Sequence, residues 1–523
     1  MMRNPSKEYE LKISLSEETV KRVRTHPILR ELGRERAQTR YLRSVYFDTA
    51  DQRLREAGIA LRVRRIGRSW VQTVKSGGAL RGGVSTALED TTAVDDLTPV
   101  IAAIGSKKLR RTVEKAIGDA PLLSVFETRF HRTERMVTTP EGAAIEVAID
   151  RGEIVAGEAA IPLCEVELEL KGGPPRGVFS LARTLTEGEI VSLAQHHKAA
   201  LGFLLAEGAD LTAKPRHAAP STLKREMRAD TAFAEILREC TAQISQNLPL
   251  IAEPLTAEPL DGNAVPHPLA VQQYRIGLRR LRSAFKLFRP MLRRKAIMPV
   301  AASAKLLAYH AGALRDADVM LDELISDAAL AAAEGVRPQA LRKLRTDLSR
   351  HRDTLRTTLR RSLIGAEAGP FLFDLVDLSE GETWRAAKKD KLELAARPAK
   401  AAARDALDRA AAEVHSYGDR IDALSIEERH DLRKALKTLR YATAFFHPLF
   451  EPETVVPYLK ALKKLQNRFG ALTDAALVET LPTIVPQHRV VGEIIAHYEQ
   501  VSNAEWVRTR AKWDAFKTVS PYW

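Results

Sequence analysis

Near its start the chain reads Glu8-Tyr9-Glu10-Leu11-Lys12-Ile13-Ser14-Leu15, alternating charge with bulk. A period of two puts Tyr9, Leu11, Ile13 and Leu15 on one face of a strand and Glu8, Glu10 and Lys12 on the other. Two carboxylates on one strand face repel unless a cation lies between them. The usual partners for such a face are a divalent metal or facing Arg and Lys, and the alternative is an ordinary solvated strand face.

The same alternation returns near 39–48, 59–66, 70–75, 123–137, 143–150, 153–156 and 162–171, between turns such as Gly77-Gly78, Gly82-Gly83 and Glu141-Gly142. Helical spacing occupies 97–117 and 176–187, and Ser16 is placed to cap a short helix. This predicts an antiparallel, strand-rich α+β domain whose polar faces carry the information. Arg62 and Arg64 share a face, and Lys75 closes the next strand. Arg129, Arg132 and Arg135 crowd another strand, Glu146 and Asp150 share a face, and Glu165, Glu167 and Glu169 alternate with Val166, Leu168 and Leu170. In a closed barrel, alternate residues line the lumen. A lumen with acidic and basic walls is costly to build empty; it suits a compact polyanion held by the cations, with Mg²⁺ or Mn²⁺ on the carboxylates. The alternative is a sheet with one solvated face laced with ion pairs.

Seven motifs, in order, resemble the CYTH, or triphosphate tunnel metalloenzyme, family over about residues 5–205. They are Glu8-x-Glu10-x-Lys12, Tyr46-Phe47-Asp48-Thr49, Leu61-Arg62-Val63-Arg64, Thr73-Val74-Lys75, Glu146 to Asp150-x-Gly152-Glu153, Glu165-x-Glu167-x-Glu169 and Lys198-Ala199-Ala200-Leu201-Gly202. The resemblance implies a closed eight-stranded antiparallel β tunnel and metal-dependent hydrolysis of a triphosphate. It implies Glu8, Glu10, Glu165 and Glu167 as ligands of Mg²⁺ or Mn²⁺, and Lys12, Arg62, Arg64, Lys75, Arg129, Arg132 and Lys198 as phosphate binders. Glu8, Glu10 and Lys12 would form the catalytic centre, with Glu10 or another lumen carboxylate activating water. A bulge would decide which of Arg132 and Arg135 faces inward. The family includes inorganic triphosphatases, thiamine triphosphatases and class IV adenylyl cyclases. No segment stands out as an aromatic or base-reading pocket, which favours inorganic triphosphate over an organic one.

With 523 residues, more than one core is expected. A break at Gly208, Pro215, His217 and Pro220 divides the chain into a tunnel domain at 1–206, a linker at 207–222 and a helical domain at 223–523. Charge divides with it: residues 1–210 hold 32 Lys and Arg against 29 Asp and Glu, whereas 211–523 hold 49 against 38. The second half is the basic one, which favours a polyanionic partner.

That half has helical spacing at 232–248, 270–288, 301–324, 340–363, 399–415, 426–449, 456–481 and 489–517. Within it Gln272, Arg275, Arg279 and Arg282 recur as His430, Arg433, Lys437 and Arg440, 158 residues later, and the same offset pairs Gly312 with Gly470 and Asp316 with Asp474. This predicts an all-α domain of two pseudo-symmetric bundles, with repeats at about 270–321 and 428–479. Steps of three and four place the cations on one stripe, where they repel each other unless a polyanion or facing Asp residues balance them.

The residues Val271-x-x-Tyr274-Arg275-x-x-x-Arg279-Arg280-Leu281-Arg282, Leu314-Arg315-Asp316-x-Asp318-Val319, His430-x-x-Arg433-x-x-x-Lys437-x-x-Arg440-Tyr441 and Leu465-Gln466-x-x-x-Gly470-x-x-x-Asp474 resemble the CHAD domain, over about 223–515. The resemblance implies a basic groove that binds inorganic polyphosphate through Arg275, Arg279, Arg282, His430, Arg433, Lys437 and Arg440. Gln272 stands where the family usually has a histidine; it can still donate a hydrogen bond.

Two cysteines, Cys164 and Cys240, exclude a disulfide framework and a Cys-based zinc site and suit a reducing cytoplasm. The first residues lack a signal peptide's apolar run and no 18-residue apolar stretch is evident, so no membrane partner is expected and the protein is placed in the cytoplasm, at polyphosphate granules. His196 and His197 read as surface residues. Phosphate-loop, zincin and serine-hydrolase motifs do not occur. The alternatives are a non-catalytic polyphosphate scaffold and, last, a nucleic-acid binder, which the lack of aromatics among the cations disfavours.

Overall fold

The computed structural model describes residues 6–7, 9–78, 80–189, 191–251, 267–365 and 370–523. Glu8 lies outside them. Two compact units emerge: Met1–Lys214 together with Leu372–Gly381, and Pro215–Phe371 together with Glu382–Trp523. The break at Lys214 falls inside the expected linker. The ten residues at 372–381 join the first unit, although their sequence lies far into the helical half.

The first unit is built on strands β1 (Ser6–Lys7), β2 (Glu10–Ser14), β3 (Gln38–Asp48), β4 (Ile59–Ile66), β5 (Ser69–Ser76), β6 (Val84–Ser85), β7 (Leu88–Val94), β8 (Leu123–Thr138), β9 (Ala144–Ala156), β10 (Ala159–Gly172) and β11 (Ser192–Leu193). Three of the eleven have only two residues, which leaves eight of working length. All pair antiparallel, in the order β1-β7-β5-β4-β3-β8-β9-β10-β2-β11, with β6 also on β2. The two ends of the series, β7 through β1 and β10 through β2, are carried by the one segment 6–14, and the sheet curls into a barrel-like form. The expected breaks at 151–152 and 157–161 differ in kind. Residues 143–150 and 153–156 form a single strand, and only the second break is a turn, at Gly157. β7 had no expected counterpart: Leu-Glu-Asp-Thr-Thr-Ala-Val carries too few apolar residues to stand out, and pairing to β5 holds it in place.

Apolar residues lie outside the curl. Val45, Phe47, Leu61, Val63 and Val74 pack under Leu109 and Val113 of the helix Lys107–Ile117. Each fully buried side chain of this kind contributes roughly 1.5–3 kcal/mol. Alternation then turns the intervening residues inward, so the oily faces find their core beneath helices and the charged faces are left to meet one another.

In the second unit the helices Pro268–Leu287 and Ile426–Phe446 begin 158 residues apart, as do the short turns Arg289–Met291 and His447–Leu449 and the helices Arg294–Val319 and Pro452–Val478. Pro299 and Pro457 fall at matching positions inside the last pair. Among the described residues, Arg294–Leu324 is long and apolar enough to cross a membrane by length and composition, unlike the expectation from sequence. In this unit its Ala304, Leu307, Ala311 and Leu314 are buried as core.

Candidate functional site

Cross-strand register builds the site. Residues directly opposite on antiparallel strands point to the same face. Glu167 of β10 stands opposite Lys12 of β2; Glu165 stands opposite Asp150 of β9, and Asp150 opposite Arg132 of β8. On the far wall Tyr46 of β3 faces Arg62 of β4, and Lys75 of β5 faces Glu89 of β7. Lys198 enters from the first turn of the helix Lys198–Ala206. Gly202 lets that helix approach β8, because a Cβ there would fall 2.0 Å from Phe126 Cε2.

These elements enclose a cavity of about 460 Å³, lined by Glu10, Lys12, Arg62, Lys75, Arg132, Glu167 and Lys198 among others. Lys198 Nζ lies 2.9 Å from Asp150 Oδ2, 2.9 Å from Glu165 Oε2 and 2.7 Å from Glu167 Oε1. Lys12 Nζ is 3.0 Å from Glu10 Oε2 and bonds Glu167 at short range. Arg132 holds Asp150 through two bonds, of 2.7 and 2.6 Å, and reaches Glu167 at 2.5 Å. Lys75 Nζ is 2.6 Å from Glu89 Oε2.

Burial alone would push Glu167 up, but Lys12, Lys198 and Arg132 outweigh it and hold the carboxyl well below the usual range. Glu165 has fewer partners, and burial raises it despite Lys198 and Lys12. Its Oε1 is buried and without a hydrogen-bond partner. Arg64, with its Nε 2.8 Å from Ser44 Oγ, is pushed down to about 9 by burial and by the neighbouring Arg62 and Arg132. Arg64 and Glu165 belong to this charged network but do not line the cavity.

Three sequence readings need correction. Arg129 is on the opposite strand face from Arg132, with its Nε 3.0 Å from Glu127 Oε2 and Nη1 3.9 Å from Glu153, because the two arginines are an odd number of residues apart. Arg135 shares that outer parity and donates to the Leu29 carbonyl at 2.7 Å. His197 is no surface residue: it lines the cavity, with Nε2 2.7 Å from the Gly78 carbonyl oxygen, and burial lowers its pKa. Nor does the cavity lack aromatics. Tyr46, stacked on Phe126 with centroids 4.4 Å apart, and Phe203 line it beside Ile59, Ala60 and Ala199. They are dispersed over 158 residues, so no single segment signalled a pocket.

Glu8, the fourth expected ligand, lies outside the described residues. Among the described residues no three His, Cys, Asp or Glu side chains are grouped to hold a metal ion, since the ammoniums of Lys12 and Lys198 stand between the carboxylates. The donor chemistry nevertheless fits a hard divalent ion: all-oxygen carboxylates, one of them with a buried oxygen that has no partner. Glu10, Glu165 and Glu167 are the residues present to hold it.

In the helical unit, Lys437 gathers the cations. Burial, then repulsion from Arg279, Arg433, Arg275 and Arg440, pushes its ammonium down to about 6. Residues from both repeats thus meet at one place. Among the described residues Arg275 pairs with Asp316, at 3.1 Å, and the Arg279 Nε is buried without an acceptor. Arg282 and His430 are exposed; the side chain of Asp474 lies outside the described residues.

A curled antiparallel sheet around a cationic and acidic cavity, followed by a repeated helical unit with clustered cations, defines a two-domain class of protein. The chain is a CYTH domain over residues 6–200 followed by a CHAD domain over residues 235–481. It is 30% identical over 177 residues, 34% of this chain, to an inorganic triphosphatase from Haemophilus influenzae, and the match spans about half, 49%, of that relative. The CHAD domain from the plant Ricinus communis is 21% identical with a TM-score of 0.47, covering 59% of this chain and 98% of that one. A putative adenylyl cyclase from Hippeastrum, described as having a dominant triphosphatase activity, is 20% identical with a TM-score of 0.29, covering 39% and 98%.

Proposed function

We propose that the first unit hydrolyses inorganic triphosphate to diphosphate and phosphate with Mg²⁺ or Mn²⁺, and that the helical unit binds inorganic polyphosphate. The observation that carries the first half is the convergence of Lys12, Arg62, Lys75, Arg132 and Lys198 on one cavity that also holds Glu10 and Glu167. A bound divalent ion would supply charge to the phosphoryl oxygens and polarise the bond that breaks. The chain's own residues do the rest. Lys12, Arg62, Lys75 and Lys198 bind and align the phosphates, and their charge offsets what develops on the oxygens during transfer to water. Glu10, next to Lys12, is the cavity carboxylate not committed to three cations, which supports it as the group that orients and deprotonates water.

For the helical unit, the carrying observation is Lys437, an ammonium disfavoured among four other cations until a polyanion joins them. A polyphosphate-bound helical unit would raise the local concentration of short-chain substrate for the first unit. Two unpaired cysteines support a reducing compartment and hence the cytoplasm, at polyphosphate granules.

The test is phosphate release by the full chain from inorganic triphosphate, with and without Mg²⁺ or Mn²⁺. Glu10→Gln should abolish turnover without unfolding the protein; an unchanged rate would remove Glu10 from the reaction. The apolar side chains among the cavity lining, Tyr46 and Phe203 packed in one cluster with Ala60 and Ala199, support a second reading in which the triphosphate carries an organic group. Thiamine and nucleoside triphosphates in the same assay separate the two.

A further inference from the structure

Ser85 ends the two-residue strand β6, which a tight turn lays onto β2. Arg81 and Val84 exchange backbone hydrogen bonds of 2.9 Å across that turn. The Lys12 N–H then donates to the Gly83 carbonyl at 2.8 Å, and a Cβ at Gly83, whose φ is +75°, would fall 2.8 Å from the Lys12 carbonyl oxygen. Only glycine lets the turn lie so close. The pairing that follows sets Ser85 directly opposite Glu10, so the serine side chain takes the inward face that Glu10 has.

Ser85 lines the cavity and is 1% exposed. Among the described residues, two cavity-lining side chains carry a buried donor without an acceptor, Arg62 at Nε and Ser85 at Oγ. The cavity ammoniums differ, since Lys12 already faces Glu10, Lys75 faces Glu89 and Lys198 faces Asp150. A buried hydroxyl without a partner lowers stability, and alanine would fill the same space without that penalty. An incoming acceptor accounts for it. Phosphoryl oxygens are acceptors, and a neutral hydroxyl can donate to one without adding positive charge beside Lys12. His197 steadies the far side of the serine. Its Nε2–H donates to the Gly78 carbonyl at 2.7 Å, and a Cβ at Gly78 would stand 3.3 Å from Ser85 Oγ.

We propose that Ser85 is a further substrate-binding residue, its hydroxyl donating to a phosphoryl oxygen, and that His197 is a positioning residue that acts on it through Gly78. Both roles rest on the triphosphate reading of the cavity. The serine extends that reading to a turn with no charge of its own, and the histidine gives the bond to Gly78 a purpose: it keeps the Gly77-Gly78 backbone packed against the serine.

The experiment titrates the full chain by calorimetry with inorganic triphosphate in EDTA, so that no metal takes part, and separately with Mn²⁺ alone. Ser85→Ala should weaken triphosphate binding about ten- to a hundredfold, the scale for one hydrogen bond to a charged group. It should leave Mn²⁺ affinity unchanged and melt no lower than wild type. His197→Leu should lose affinity severalfold, and His197→Gln, whose amide can donate to the same carbonyl, should recover it. Added to Ser85→Ala, His197→Leu should cost no further affinity, because no hydroxyl is left to position. If Ser85→Ala fails to fold, Ser85→Gly, which also removes the hydroxyl, takes its place. A folded variant without the hydroxyl that binds triphosphate as wild type does overturns the proposal, as does a loss confined to Mn²⁺, which would make the serine a metal ligand instead. Additive losses in the double variant remove His197 from the positioning role. Wild type that binds no triphosphate sinks the reading of the cavity itself, whereas wild-type binding left intact by the serine change sinks Ser85 alone.

Discussion

Lys198 Nζ lies 2.9 Å from Asp150 Oδ2, a carboxylate with no solvent exposure at all. The ammonium is nearly as enclosed. Burial works against its charge, yet Asp150, Glu165 and Glu167 together hold its pKa well above the usual lysine value. Each also holds other members of the network, Asp150 through Arg132 and Lys198 through Glu165 and Glu167, so removing one leaves a buried excess of charge among the rest.

Lys198→Met should therefore cost stability as well as activity. Removing one member of a buried charge network costs on the order of 3–5 kcal/mol, read as a lower urea midpoint for the first unfolding transition. A midpoint equal to wild type would mean that Asp150 is already balanced by Arg132 alone.

The two faces of β8 should separate in an alanine comparison. Arg129→Ala removes an exposed pair and is expected to change stability by less than about 1 kcal/mol and to leave triphosphate hydrolysis unchanged. Arg132→Ala should lower the rate roughly 10²–10³-fold, the scale for losing a group that stabilises transferring charge. Circular dichroism and urea unfolding of the same samples separate this from loss of fold. Equal effects would contradict the inward and outward assignment.

Glu165→Gln should uncouple stability from metal use. Its carboxyl is raised by burial, so the native state binds the proton more tightly than the unfolded chain does. Its contribution is thus present at low pH and fades as pH rises through the acid range. The glutamine variant should lose that part of the pH dependence and be no less stable at pH 7, while Mn²⁺ affinity, measured by calorimetry, falls. Undiminished Mn²⁺ binding would take Glu165 out of the ligand set.

Polyphosphate binding should take up protons near pH 7. Lys437 is lowered to about 6 in the folded protein, below its unfolded value. Between the two values the unfolded chain holds the extra proton, so stability of the helical unit rises with pH across that window. A bound polyanion reverses the repulsion and recharges the lysine. Binding should tighten as pH falls from 8 to 6, and binding heats in buffers of different ionisation enthalpy should report the proton uptake; Lys437→Met should abolish it.

How much of this was legible depended on parity. Lys12, Arg62, Lys75, Arg132, Glu165 and Glu167 were identifiable because strict alternation assigns a face once one neighbour is known. Arg129 was misassigned for the same reason: in a run with arginines at 129, 132 and 135, sequence does not say which parity is inner, and the pairing of Arg132 with Asp150 settles it. Tyr46 and Phe203 come from a strand and a helix that meet only in three dimensions, so their common cavity left no local trace.

The short helix Phe371–Glu380 illustrates a different kind of dependence. All but its first residue falls within Leu372–Gly381, which belongs with residues 1–214, and Arg183 Nη1 meets Asp374 there at 2.6 Å. On a ribosome the first 214 residues emerge well before this piece does. At about 5–20 residues per second, the nascent barrel waits on the order of ten to thirty seconds for its last strut, and an expression plasmid cut at the apparent boundary withholds it altogether.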